Sequence, residues 1–135
     1  MTFALYGLLT NEAPQLSYES LAKDLKNQLQ NENFSLQREK LPFAKNETLV
    51  LKWDKWLARV SFEEGETVRA DSLEIQERTK SFNSFDLSRI NRRIRVVFGN
   101  DDGQQYTNQI IYLMDFLREI RGVVIYDPQQ NNFVE

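Results

Sequence analysis

Apolar and polar positions follow one another along this chain in three distinguishable rhythms, and each rhythm predicts a different kind of element. From Thr2 to Leu9 almost every position is apolar, so FALYGLL reads as a buried opening strand, with Gly7 marking a close approach of backbone. Asn11 to Gln15 breaks it. Ser17 then suits the N-cap of a helix from Tyr18 to about Gln30, because Tyr18, Leu21, Ala22, Leu25 and Leu29 fall on one face at helical spacing. After the polar NEN, Phe34 and Leu36 alternate with Ser35 and Gln37, a half-buried strand that Pro42 cannot continue.

Two stronger strands follow, LVLKW at 49–53 and WLARVSF at 56–62. Only Asp54 and Lys55 lie between them, which predicts a tight hairpin without the usual glycine. In the second strand Trp56, Ala58, Val60 and Phe62 share one face, opposite Leu57, Arg59, Ser61 and Glu63. One face is therefore core, and the other is at least partly wet. Beyond Gly65, Val68, Ser72, Ile75 and Thr79 recur at helical spacing and predict a surface helix from about Glu66 to Lys80. SFNSFDLSRINR reads as a loop with a short helical turn, and RIRVVF at 93–98 as a strand. A helix from about Thr107 to Arg121 carries Ile110, Ile111, Leu113, Met114, Leu117 and Ile120, and Gly122 stops it. VVIYD at 123–127, a turn at Asp127-Pro128 and a short Phe133-Val134 complete the pattern.

The order predicts a single α+β domain over residues 1–135. Its sheet is mostly antiparallel, although a mixed sheet fits the same order, and two or three helices pack on one face. At 135 residues and 41% apolar, the chain can bury about two-thirds of the surface its unfolded form would expose. The opening residues lack a positively charged leader and no apolar run approaches the ~18 residues of a membrane helix, so the expectation is a cytoplasmic protein with no membrane partner.

Composition removes whole classes of chemistry. Cysteine and histidine are both absent, which excludes disulfides, thiolate zinc sites, cysteine nucleophiles and imidazole bases. Carboxylate chemistry and oxygen-ligand sites for magnesium or calcium stay open. The net charge of −3 disfavours non-specific nucleic-acid binding, although a local basic patch could override it. Charge is unevenly spread, with 7 acids against 8 bases in the first 60 residues and 13 against 9 after them. The surplus gathers in SFEEGETVRADSLEIQE, where Glu63, Glu64, Glu66, Asp71, Glu74 and Glu77 face one base, Arg69.

Five stretches invite a functional reading, and each has a structural one beside it. The loop FGNDDGQQYTN, with Asp101 and Asp102 adjacent, lacks the alternate acids of a calcium loop and the lysine and glycines of a phosphate cradle. It reads as a link from strand to helix that could also touch a partner. Asp115 and Asp127 could serve as a catalytic carboxylate pair or as satisfied structural acids. The run RINRRIR, with Arg89, Arg92, Arg93 and Arg95 and with Phe82 and Phe85 upstream, could bind nucleic acid, or its arginines could pair with the acidic segment. That segment could be a solvated helix face or could bind a basic protein. Trp53 and Trp56 belong either to the core or to an interface.

From Glu63 to the end, EEGETVRADSLEIQER, IRVVFGNDDGQQYTNQIIYLMDFLREIRG and VVIYDPQQNNFVE together resemble small immunity proteins of bacterial polymorphic-toxin and contact-dependent inhibition systems. The likeness covers residues 60–135 and includes the terminal Asp127-Pro128-Gln129 turn. It implies a non-enzymatic cytoplasmic α+β protein that binds one cognate toxin domain and needs no cofactor. Glu63, Glu64, Glu66, Asp71, Glu74, Asp101 and Asp102 would then form the partner-binding acids and no residue would be catalytic. The alternative from another class is a small nucleic-acid-binding or regulatory domain using the Arg89–Arg95 run.

Overall fold

In a computed structural model of the chain, which describes residues 3–40, 42 and 47–134, the elements follow the order read from the sequence. They are β1 (Phe3–Leu9), α1 (Tyr18–Gln28), β2 (Ser35–Glu39), β3 (Thr48–Trp53), β4 (Trp56–Glu64), α2 (Glu66–Thr79), β5 (Arg92–Phe98), α3 (Thr107–Arg118), β6 (Val123–Asp127) and β7 (Asn132–Val134). Thr2, where the first strand was expected to start, lies outside the described residues. The strands form one sheet in the order β2-β3-β4-β5-β1-β6-β7. Every pairing is antiparallel, so of the two sheets compatible with the order the antiparallel one forms.

Local chemistry fixes the ends of several elements. Ser17 caps α1 through a hydrogen bond from the Ser20 amide at 3.1 Å, and the Ser20 hydroxyl accepts the Ser17 amide at 2.9 Å. Asp54 closes the β3–β4 hairpin with φ at +49°, a left-handed backbone that aspartate tolerates better than most residues. At the other end of the chain Gly122, with φ at +76°, follows α3 and lets the chain turn into β6. A side chain there would meet the Ala13 amide and the Thr10 hydroxyl at 2.7 Å. Gly7 fulfils its expected role, since a Cβ would lie 3.2 Å from both Leu117 and Val123.

The sheet has two unlike faces. On the first, α1 and α3 pack over Leu5 and Leu9 of β1, Leu49 and Leu51 of β3, Ala58 and Val60 of β4, and Ile94, Val96 and Phe98 of β5. Leu21, Leu25, Leu113 and Leu117 from the helices complete this core and are fully buried. Stacked rings line it, with Phe3 and Phe98 at 4.5 Å and Trp56 and Tyr106 at 5.1 Å between centroids. The expectation of helices packed on one face holds with these two. The third helix, α2, lies on the opposite face. There Ile75 joins Leu8, Leu87, Ile90 and Tyr126 in a second, smaller core.

Candidate partner-binding surface

The two faces follow from strand alternation, and register places every polar side chain on the second face in a row. Successive rows across β4, β5 and β1 bring together Glu63, Arg93 and Leu8, then Ser61, Arg95 and Tyr6, then Arg59, Val97 and Ala4. The row of Arg59 continues through Val50 to Gln37, and that of Ser61 through Thr48 to Glu39. α2 crosses the first of these rows and reaches the β6 end of the second, where Ile75 packs in one cluster with Leu8 and with Tyr126, the neighbour of Tyr6. Its buried stripe is the one expected, Val68, Ser72, Ile75 and Thr79, with the Ser72 and Thr79 hydroxyls bonded back to the carbonyls of Val68 and Ile75 at 2.8 Å.

Where α2 meets the sheet, Arg93 is held by two carboxylates. Its Nε donates to Glu63 at 2.8 Å and a terminal nitrogen donates to Asp71 at 2.9 Å, and the guanidinium sits 4.7 Å from the Tyr6 ring centroid. Burial alone would lower the Arg93 pKa. The hydrogen bond and charge of Glu63, and then those of Asp71, outweigh it, so the shift is upward and the cation is secured. Glu63 and Asp71 are therefore brought together, but they face inward on an internal cation.

The other acids point outward or act locally. Glu66 and Glu74 lie on the outer face of α2 beside Arg69 and Arg78, and Glu64 ends β4 exposed. Glu77 pairs with Lys80 at 3.0 Å. The loop that holds Asp101 and Asp102 follows the far end of β5, so it lies away from the acids near Gly65. Asp101 accepts the backbone amides of Gln105 and Tyr106 at 2.8 and 3.0 Å, directly before α3. That makes it the turn residue expected of a strand-to-helix link. Asp102 accepts from the Asn100 side chain at 3.2 Å.

The arginine run is divided in the same way. Arg92 donates to the carbonyls of Pro14, Thr10 and Ala13 at 2.9 to 3.3 Å and ties β5 to the loop after β1. Arg93 serves the triad, while Arg89 and Arg95 are exposed. Trp53 and Trp56 both belong to the core, and the Trp56 indole donates to the Gly99 carbonyl at 3.0 Å. Asp115 pairs with Arg118 at 2.9 Å, and Asp127 accepts the Gln129 amide at 2.9 Å in the terminal turn. The Gln129 side chain in turn bonds both the amide and the carbonyl of Ala4, at 2.7 and 2.8 Å. No group of three acids that could hold a metal ion occurs among the described residues, and no described helix is long and apolar enough to cross a membrane.

Two phenylalanines stand out on the segment that joins α2 to β5. Phe82 and Phe85 are 57% and 52% exposed, the highest values among the large apolar side chains of the described residues. Their segment folds back on α2, because the Leu87 amide donates to Gln76 at 2.6 Å and the Phe82 amide to the Thr79 carbonyl at 3.1 Å. Phe85 also meets Phe133 edge-on at 5.6 Å. In the sequence both phenylalanines stand upstream of the arginine run as stacking candidates. Their association with α2 depends on hydrogen bonds that no periodicity encodes. Compared with protein-family models, with curated proteins and with solved structures, the chain gives no match.

Proposed function

We propose that the protein is a non-enzymatic binding protein of the cytoplasm whose partner is a cognate toxin domain that it neutralises. The observation that carries this reading is the placing of two half-exposed phenylalanines, Phe82 and Phe85, next to the C-terminal end of α2, the helix whose exposed side carries Glu66, Glu74 and Glu77. Exposed aromatic anchors beside charge of one sign are how protein interfaces combine affinity with orientation. Residues 63–80 carry six acids against three bases. With Glu63 and Asp71 turned to Arg93, the outward Glu64, Glu66, Glu74 and Glu77 stand beside Arg69, Arg78 and Lys80, a small acidic excess whose complement is a basic surface. Glu64, Glu66 and Glu74 are the acids placed to meet it. Glu63 and Asp71 support the surface from beneath by holding α2 to Arg93.

The test is affinity capture of the tagged protein from its native lysate, read by mass spectrometry and by nucleic-acid staining. One protein in stoichiometric amount is expected, with the association lost in Phe82→Ser/Phe85→Ser and weakened in Glu64→Lys/Glu66→Lys/Glu74→Lys. Unchanged binding after the charge reversal removes the acids from the interface and leaves a binding protein that uses another surface. Nucleic acid without a protein partner overturns the reading, and moves attention to the exposed Arg89 and Arg95.

A further inference from the structure

The second face of the sheet is covered by α2 at one end only. Over β2, β3 and the halves of β4 and β5 that lie beyond Glu63 and Arg93 no described helix covers it, and its side chains there are half-buried or exposed: none of Gln37, Val50, Lys52, Leu57, Arg59, Arg95 and Val97 is fully buried. Register gives this open half a definite pattern. Lys52 lies opposite Leu57, Arg59 opposite Val97 and Ser61 opposite Arg95. Lys52, Arg59 and Arg95 thus occupy a diagonal across three neighbouring strands, each about 7–8 Å from the next. Between and beside them stand the half-buried Val50, Leu57 and Val97.

Charge on this face is of the opposite sign to that on α2. Arg59 lies 3.7 Å from Glu39, a long contact at two partly exposed side chains. Neither Lys52 nor Arg95 has a carboxylate partner among the described residues. In a chain whose net charge is −3, two such cations on one open face are a local reversal. Among the described residues Tyr6 is the aromatic residue next to the diagonal, and its ring already lies against Arg93, so these residues offer no free ring on which a nucleic-acid base could stack. Aliphatic side chains between cations match an amphipathic, acidic polypeptide instead, because the apolar strip contributes burial and the cations set orientation and encounter rate.

We propose that the open half of the sheet, centred on Lys52, Arg59 and Arg95, docks an acidic amphipathic polypeptide segment. This surface is distinct from the acidic face of α2, and its recognition chemistry does not depend on the toxin reading. A protein with both surfaces would hold a basic partner at α2 and an acidic segment on the sheet.

The experiment is titration of the labelled protein with a peptide of alternating glutamate and leucine, followed by backbone amide NMR at two salt concentrations. A thymidine oligonucleotide serves as the comparison ligand. The expected result is shifts concentrated at Val50, Leu57, Arg59, Arg95 and Val97, with affinity falling as salt rises. Lys52→Glu/Arg95→Glu should weaken the peptide by about tenfold or more. Lys23→Glu/Lys26→Glu, the same charge change on the exposed side of α1, should leave it unchanged. Three results overturn the proposal: no peptide binding, an equal loss in both double variants, or a preference of this face for the oligonucleotide. Folding of each variant is checked by the dispersion of the same spectra.

Discussion

Arg93 and Arg95 lie two residues apart on β5 and point to the same side of the sheet, yet they belong to different environments. Arg93 is 6% exposed, doubly bonded to Glu63 and Asp71 and packed against Tyr6. Arg95 is exposed and has no carboxylate partner among the described residues. The difference is the presence of α2 overhead. A covered arginine works as a structural link between helix and sheet, whereas an uncovered one is free to meet another molecule. The same contrast runs through the apolar residues of this face. Leu8 in the covered half is wholly buried, and Leu57 in the open half is not.

The largest effect expected is at Leu8. Leu8→Ala should cost about 3 kcal/mol, within the usual range for a leucine deleted from a core that cannot collapse around the loss. Urea unfolding monitored by tryptophan fluorescence measures it. A loss below about 1 kcal/mol would mean that α2 packs loosely, and the two halves of the face would be alike.

Arg93→Ala comes next, at about 2–3 kcal/mol. Removing one partner of a fully buried ion pair costs about 3–5 kcal/mol. Here the side chains of Glu63 and Asp71 retain 27% and 43% exposure, so water recovers part of the loss. The stem of the arginine and its contact with Tyr6 are lost as well. Because the link is shielded, the cost should change little between low and high salt. Leu57→Ala is expected to lie below about 1 kcal/mol, as its side chain already reaches solvent. Together the three variants grade the face from its covered end to its open end.

Much of this was legible in the sequence, for a physical reason. Period-two and period-three-and-a-half patterns record which side of each element meets the core, and that core is local to the element. The stripes of α1 and α2, the alternation of β4 and the stop at Gly122 could therefore be read directly. Strand order could not, because β1 reaches β5 and β6 across more than eighty residues, and only the closed sheet brings them together. The split of the arginine run and of the acids follows from that order. Nothing in RINRRIR distinguishes Arg93 from Arg95 until Glu63 is known to lie opposite one and Ser61 opposite the other. The seven acids shared a sign in the sequence. In the fold, two hold an internal arginine, Asp101 orders the turn before α3, Asp102 accepts from Asn100 in the same loop, and Glu64, Glu66 and Glu74 point outward near α2.

The smallest effect on stability is expected at Arg95, and it decides most about function. Arg95→Ala removes an exposed side chain with no ion pair among the described residues, so its cost should stay within about 0.5 kcal/mol. Neighbouring cations on the same face repel one another weakly, so the change can even be slightly stabilising at low salt. A residue that contributes nothing to folding but sits at the end of a cationic diagonal is the one whose substitution should alter binding alone. Unfolding curves and peptide titrations on the same Arg95→Ala preparation separate the two. Unchanged stability with weakened peptide binding marks the open half as a recognition surface. A loss near that of Arg93→Ala would instead make Arg95 a second structural arginine and remove the contrast between the two halves.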